Sequence, residues 1–224
     1  MNMDKYISTD IQNKYNFYNY RHAVEIITQA FPDEWNDILH VLSAFRIEET
    51  ALTTSGGSET NIPGKFESIL YPRKWRNVQI TSDLNVKFFE RIIDQKKYSE
   101  YPAKESVIPN YISGHQVDYL KGRVAISIEW NKKDLAFDKT LTSLRAFYDC
   151  NLISAGVIIT RDADLNEVFK EICDNDGRPI FRKYGSTSTW TGKLLPRLDA
   201  QQAGGCPILA IGIKRECIEG YGEY

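Results

Sequence analysis

The second half of the chain alternates between short apolar runs and amphipathic segments, and this alternation constrains the fold more than any other feature. Residues 124–130, 156–160 and 207–213 have the length and composition of buried strands. Residues 138–150 and 164–173 instead repeat apolar side chains at helical spacing. Strands that alternate with helices in this way predict an α/β fold, with a central mixed β-sheet flanked by helices.

The N-terminal part of the chain predicts helices. Within residues 20–50, apolar side chains recur at helical spacing on both sides of Pro32, which suits the first turn of a second helix. Residues 53–61 are rich in turn formers and lack an apolar period, which predicts a loop. A chain of 224 residues with 42% hydrophobic content can close one substantial core. We therefore expect a single domain over residues 1–224, with its functional core in residues 113–213.

The total charge of the chain does not indicate a nucleic-acid binder. There are 28 basic and 30 acidic residues, so a DNA-binding surface would require local segregation of charge. The sequence has no apolar run near the length of about 18 residues that a membrane helix needs, and its first residues are polar, so we expect a soluble, cytoplasmic protein. The four cysteines lie far apart, which argues against a local zinc site and against a disulfide scaffold.

A row of polar side chains interrupts the first apolar strand. Because alternate residues of a strand share a face, Ser127, Glu129 and Asn131 point to one side of residues 124–130 and their continuation. If Asp118 ends a neighbouring segment across a turn at Lys121-Gly122, its carboxylate would meet that row. A surface salt bridge or a turn cap would explain the same residues structurally.

Two converging carboxylates are also what metal-assisted phosphodiester hydrolysis requires. Hard oxygen ligands bind Mg²⁺, and the ion polarises both the phosphate and the attacking water. We therefore predict Asp118 and Glu129 as metal ligands. Lys132 or Lys133 could stabilise developing negative charge.

A second polar segment, residues 178–197, contains five basic residues and no acidic residue, although the whole chain is slightly acidic. Hydroxyl groups and basic side chains are the groups that contact DNA phosphates and base edges. The structural alternative is a Ser/Thr-rich loop followed by a helix from Gly192. The predicted DNA-binding residues are Lys183, Ser186, Thr187, Ser188, Thr189, Lys193 and Arg197.

Taken together, the polar segments resemble a known family. The runs VDYLKGRVAISIEWNKKD (117–134), FDKTL (137–141) and ISAGVIITR (153–161) are similar to the BglII/BstYI group of type II restriction endonucleases, which are relatives of BamHI. The later runs KYGSTSTWTGKLLPR (183–197) and GGCPILAIG (204–212) resemble the C-terminal part of the same group. The order and spacing of these runs carry the resemblance, which covers about half of the chain.

This resemblance implies a PD-(D/E)xK nuclease core, Mg²⁺ as the cofactor, double-stranded DNA as the substrate and a homodimer that cleaves a short palindromic site, with GATC as a candidate centre. Asp118 matches the first acidic position of the group's motif. In the natural register Ser127 takes the second acidic position and Glu129 the third. Shifting the register makes Glu129 the ligand and Asn131 the third member, so the candidate catalytic residues are Asp118, Ser127, Glu129, Asn131 and Lys132.

Ser127 leaves the activity open, because a hydroxyl lacks the charge that helps to hold Mg²⁺. A variant site in which Glu129 takes over, a natural loss of activity, or a substitution introduced to trap uncleaved DNA would each account for it. The main alternative to a nuclease is therefore a catalytically inactive, sequence-specific DNA-binding protein of the same fold. A third possibility, favoured by the near-neutral charge, is a metal-dependent hydrolase or an interaction domain unrelated to nucleic acid.

Overall fold

The computed structural model of the chain describes residues 5–53, 62–182, 184–185 and 187–220. Within those residues no helix is both long and apolar enough to cross a bilayer. Residues 54–61 of the predicted loop lie outside the described part. The helices and strands are, in chain order, α1 (Thr9–Lys14), β1 (Tyr15–Tyr20), α2 (Ala23–Ala30), α3 (Pro32–Ala44), α4 (Glu49–Thr53), α5 (Ile62–Leu70), β2 (Arg76–Phe88), β3 (Arg91–Ile92), β4 (Lys97–Tyr98), β5 (Lys104–Lys121), β6 (Val124–Glu129), α6 (Ala136–Asp149), β7 (Ala155–Arg161), α7 (Ala163–Glu171), α8 (Thr191–Asp199) and β8 (Ile208–Ile213).

The three apolar runs form the centre of a mixed sheet, which confirms the predicted α/β class. Every residue of β6, β7 and β8 is buried, and the three strands are parallel. Strands covered on both faces favour apolar side chains in succession, and in these three strands Ser127, Glu129, Thr160 and Arg161 are the polar exceptions. Antiparallel strands flank them, giving the order β1-β8-β7-β6-β5-β2.

The helices follow the predicted periodicity. α3 begins at Pro32, where the missing amide proton costs no hydrogen bond, and it buries Trp35, Ile38 and Leu42. α6 packs closely on the sheet at Gly156, where an added Cβ would lie 3.0 Å from Leu144 Cδ2 and 2.9 Å from Ile208 Cδ1. The short helix α8 begins at Thr191, beside the predicted start at Gly192.

The chain divides into two compact units. The first comprises Met1–Val78 and Val117–Tyr224, and the second comprises Gln79–Gln116. All the α-helices of the described residues belong to the first unit, together with β1, β6, β7 and β8. The second unit contains most of β2 and β5 with the short hairpin β3-β4, and its exposed side chains include Ile93 and Tyr101. The apolar periodicity of the sequence does not indicate this unit, and the expectation of one domain over residues 1–224 stays a prediction.

Candidate active site

Asp118 lies where the pairing of β5 with β6 ends. The two strands join through a turn at Gly122, whose φ is +52°, and the regular register runs from Lys121↔Val124 to Tyr119↔Ile126. One residue beyond it, the Oδ2 atom of Asp118 accepts a hydrogen bond of 2.7 Å from the backbone N–H of Ile128. The carboxylate thereby anchors itself to the strand that carries Ser127 and Glu129, across the turn that the sequence predicted.

Glu129 ends β6 as a buried acid, with only 2% of its surface exposed. Its Oε1 atom accepts a hydrogen bond of 2.6 Å from the Thr140 hydroxyl of α6. Its Oε2 atom is buried and has no hydrogen-bond partner within the described residues, although Lys132 Nζ lies 3.3 Å away as an ion-pair partner. Burial raises the pKa of Glu129, the Lys132 charge and the Thr140 hydroxyl oppose that rise, and the nearby Asp118 charge adds to it. The two predicted carboxylates therefore interact electrostatically.

Lys132 and Asn131 follow β6 directly. Lys132 donates a hydrogen bond of 3.3 Å to the Ile128 carbonyl, and its side chain stays 47% exposed beside the buried Glu129. Asn131 has a φ of +51°, a left-handed conformation that asparagine tolerates. The alternation of the strand thus ends at Glu129, so Asn131 lies in the turn after the strand and does not extend the polar row.

Ser127 is buried within the sheet, with 4% of its surface exposed, and its backbone pairs with Ile158 of β7. Its hydroxyl brings no negative charge to the site. Across the described ranges, no three side chains of histidine, cysteine, aspartate or glutamate are grouped so that they could hold a metal ion. The predicted acidic site therefore rests on fewer carboxylates than a fully acidic motif would supply.

A cavity of about 290 Å³ opens beside Asp118. Asp118, Ile128 and Lys132 line one part of it, and Glu67 of α5 adds a further carboxylate. Burial raises the pKa of Tyr119, another lining residue, and the charges of Asp118 and Glu67 add to that rise, so both acids act on the same region. The remaining lining residues are Pro63, Tyr71, Trp75 and Asn77.

Glu67 was not among the residues predicted from the sequence to bind a metal. Its local signal is weak, because it differs from an ordinary helix residue only by standing beside Ile62, Phe66 and Leu70, which form the buried stripe of α5. Glu67 and Asp118 are 51 positions apart in the sequence, so only the tertiary fold could show that they line the same cavity.

The segment predicted to read DNA splits into buried and exposed parts. Lys183 and Ser186 lie outside the described residues. Thr187 is exposed, whereas Ser188 and Thr189 are 7% and 0% exposed. The Ser188 hydroxyl donates to the carbonyl of Tyr184 at 2.7 Å, and the Thr189 hydroxyl donates to the Glu129 carbonyl at 3.1 Å. In this structure these two hydroxyls therefore stabilise the fold, and their part in DNA binding stays a prediction.

Arg197 and Lys193 lie on α8 with different environments. Arg197 Nε and Nη2 donate to the two carboxylate oxygens of Asp138 at 2.7 and 3.3 Å, and its Nη1 donates to the Lys193 carbonyl at 2.8 Å. Its pKa is raised chiefly by the hydrogen bonds to Asp138. Lys193 is half-buried. Arg197 thus joins α8 to the first turn of α6, a use that the sequence did not predict.

The residues present fit a hard divalent cation, though sparsely. Asp118 and Glu67 offer carboxylate oxygens to the cavity, and the buried Oε2 atom of Glu129 lies 3.3 Å from Lys132, which lines the same cavity. A buried carboxylate with a raised pKa gains from a nearby positive charge, because the charge restores the ionised form. Oxygen donors of this kind are those that Mg²⁺ prefers.

Comparison with known proteins identifies a family that matches most of the chain. The family described as restriction endonuclease BglII/BglIII matches residues 15–213, which include Asp118, Ser127, Glu129 and the segment up to Arg197. No curated protein matches the chain. The match confirms the resemblance that the sequence motifs indicated, and it extends well beyond the half of the chain that carried them.

Proposed function

We propose that this chain, which belongs to the restriction endonuclease BglII/BglIII family of type II site-specific deoxyribonucleases, hydrolyses phosphodiester bonds of double-stranded DNA at a short palindromic site with Mg²⁺ as cofactor. The observation that supports cleavage best is the pair of carboxylates at the end of β6. Asp118 is fixed by the Ile128 amide, and Glu129 is buried close enough for the Asp118 charge to raise its pKa. A buried acid beside a second carboxylate costs stability unless a cation or a proton offsets it.

Asp118 and Glu129 would hold the cation, with Glu67 as a third acidic side chain on the cavity. When bound, Mg²⁺ supplies Lewis-acid polarisation of a phosphate oxygen and of a water molecule. Thr140 holds Glu129 in place through Oε1, which leaves Oε2 for a positively charged partner. Lys132, half exposed at the cavity, carries the positive charge that can stabilise a phosphate as negative charge develops on it.

The proposed palindromic DNA site also bears on how many copies of the chain act together. A palindrome is read most simply by two copies related by a two-fold axis, so we propose a homodimer that works in the cytoplasm. Lys183, Ser186, Thr187, Lys193 and Arg197 are the proposed DNA contacts on each copy, and GATC is the proposed centre of the site. Cloning and sequencing the ends of digested plasmid DNA would identify the site and the cut position together.

Cleavage is tested with purified protein, plasmid DNA and Mg²⁺. The wild-type protein should produce discrete fragments, and Asp118→Asn and Glu129→Gln should each slow cleavage by about 100-fold or more, as expected for losing a group that stabilises charge in the transition state. Asp149→Asn is the matched control, because among the described residues that exposed acid forms its ion pair with Arg145, at the far end of α6. Wild-type rates in both active-site variants would refute these assignments.

A second candidate function is sequence-specific DNA binding without cleavage, and Ser127 is the observation that favours it. Ser127→Asp and Ser127→Glu restore an acid at this position. A wild-type protein that binds one duplex tightly but never cuts it, together with variants that gain Mg²⁺-dependent cleavage, would establish this second function. Equal cleavage by the wild type and both variants would place Ser127 outside the metal-binding shell.

A further inference from the structure

The most unusual buried charge of the chain lies outside the carboxylate pair. Arg161, the last residue of β7, is fully buried, and within the described residues no carboxylate forms an ion pair with it. Burial lowers its pKa to about 10, so the guanidinium still carries its charge at neutral pH. A buried cation without an acid must be stabilised by other groups around it.

Those other groups come from the described residues of one short segment, 184–185 and 187–189, hereafter segment 184–189. Nε of Arg161 donates to the Thr189 carbonyl at 2.9 Å, and Nη2 donates to the Tyr184 carbonyl at 2.8 Å and contacts the Ser188 hydroxyl. The guanidinium carbon also lies 5.8 Å from the centre of the Tyr184 ring. Nη1 has no hydrogen-bond partner among the described residues. The hydrogen bonds of Arg161 therefore hold this segment against the end of β7.

The other side of the same segment contacts the end of β6. The Glu129 carbonyl accepts hydrogen bonds from the hydroxyls of Thr189 at 3.1 Å and Thr160 at 2.7 Å. The Thr189 amide donates to the Lys132 carbonyl at 2.8 Å, and the Asp134 amide donates to the Thr187 carbonyl at 2.8 Å. Segment 184–189 is therefore a bridge between Arg161 and the backbone that carries Glu129 and Lys132.

We infer that Arg161 is a positioning residue for DNA cleavage: it holds residues 184–189 in place, and through them the backbone at Glu129 and Lys132. This inference rests on the proposed nuclease function. Residues 184–189 also lie within the segment proposed to contact DNA. Arg161 therefore supports a segment that lies between the proposed DNA contacts and the backbone of Glu129. Small displacements matter at such a site, because a shift of about 1 Å can slow an enzymatic reaction about 100-fold.

Two variants test the inference. Arg161→Met removes the donors but keeps an apolar side chain of comparable length, and we expect the maximal rate of plasmid cleavage to fall about 100-fold. Thr189→Val removes only the hydroxyl that donates to Glu129 and keeps the carbonyl that Arg161 binds, and we expect a fall of about 10-fold. The plasmid concentration at half-maximal rate should change little in Thr189→Val, whereas a general loss of folded protein would lower activity in step with the urea midpoint.

Arg123→Met provides the matched control. Arg123 also binds a loop through three hydrogen bonds, to Ser154 Oγ at 3.0 Å, the Asn151 carbonyl at 2.8 Å and Asn151 Oδ1 at 2.6 Å. These contacts lie beyond the opposite end of β6 from Glu129. The control should therefore cleave plasmid DNA at the wild-type rate even if it unfolds more easily.

Amide hydrogen exchange separates this inference from the proposed function. Arg161→Met should speed exchange of the Asp134 amide at least about 10-fold relative to the wild type and to Arg123→Met, because its acceptor belongs to the released segment. If the wild type cuts no DNA, the nuclease proposal fails, and the Asp134 exchange rate still decides whether Arg161 positions this backbone. Wild-type exchange in Arg161→Met, or wild-type cleavage by Arg161→Met or Thr189→Val, would overturn the inference. If Arg161→Met does not fold, the cleavage rate of Thr189→Val decides.

Discussion

Replacing Thr140 by valine should destabilise the protein by an amount that depends on pH. The hydroxyl of Thr140 donates a hydrogen bond of 2.6 Å to Glu129 Oε1, and valine keeps the shape of the side chain without that donor. A hydrogen bond to a charged group contributes about 1.5–3 kcal/mol, and one between neutral groups contributes about 1 kcal/mol. The cost should therefore be larger when Glu129 is ionised.

The sign follows from the pKa of Glu129, which burial raises above its ordinary value of 4.5. The folded state binds this proton more tightly than the unfolded state, so the stability that this acid contributes is complete below the unfolded pKa and is lost as pH rises through the folded pKa. The Thr140 hydroxyl lowers the pKa of Glu129 in the folded state, so Thr140→Val raises that pKa further. The variant therefore loses more stability than the wild type as the pH rises. The difference in unfolding free energy from the wild type should grow by about 1–2 kcal/mol between low and high pH.

Urea unfolding of wild type and Thr140→Val at about pH 4 and about pH 8 measures this difference directly. With a slope near 3 kcal/mol per molar urea, about 1.5 kcal/mol corresponds to a shift of about 0.5 M in the midpoint. Thr142→Val is the control, because Thr142 is exposed on the same helix and its hydroxyl donates to the Asp138 carbonyl. If Thr140→Val lowers the unfolding free energy equally at both pH values, the claim that this hydroxyl binds an acid with a raised pKa is refuted.

Further substitutions probe the neighbouring residues. Glu67→Gln should slow Mg²⁺-dependent cleavage about 10-fold by removing one carboxylate from the cavity, and a wild-type rate across a Mg²⁺ titration would exclude it from the cation site. Asp138→Asn should weaken the ion pair with Arg197 and leave DNA affinity equal or higher, whereas Arg197→Ala should lower affinity; salt-dependent filter binding measures both, and equal affinity in all three proteins would remove Arg197 from the interface. Gly212→Ala should destabilise the fold by about 1–3 kcal/mol in urea unfolding, because the new Cβ would collide with the Asp162 carboxylate, and an unchanged midpoint would contradict the packing described.

Much of the central sheet could be predicted because its signals are local. The runs that became β6, β7 and β8 are mostly apolar, as expected for strands that are buried on both faces, with Ser127, Glu129, Thr160 and Arg161 as the polar exceptions. The helix start at Pro32 followed equally from local chemistry, since the first turn of a helix accommodates proline without the loss of a hydrogen bond. The turn that brings Asp118 beside β6 was predictable for the same reason: the residues involved are close in sequence.

Other parts of the fold escaped prediction because their partners are distant in sequence. β1 pairs with β8 at the other end of the chain, and its tyrosines and asparagines do not by themselves indicate a strand. The unit formed by Gln79–Gln116 has long strands with half-exposed side chains, so it lacks the apolar contrast on which periodicity depends.

The sequence by itself determined the α/β class and the family, and it supplied Asp118 and Glu129 as the proposed metal ligands, because strand periodicity and motif spacing are properties of neighbouring residues. Only the tertiary structure decided that Glu129 is buried under Thr140, that Glu67 lines the same cavity as Asp118, and that a charged Arg161 fixes the segment behind both. The physical reason is that burial, pKa shifts and long-range hydrogen bonds depend on which surfaces the fold brings together, and that information is not carried by any single stretch of the chain.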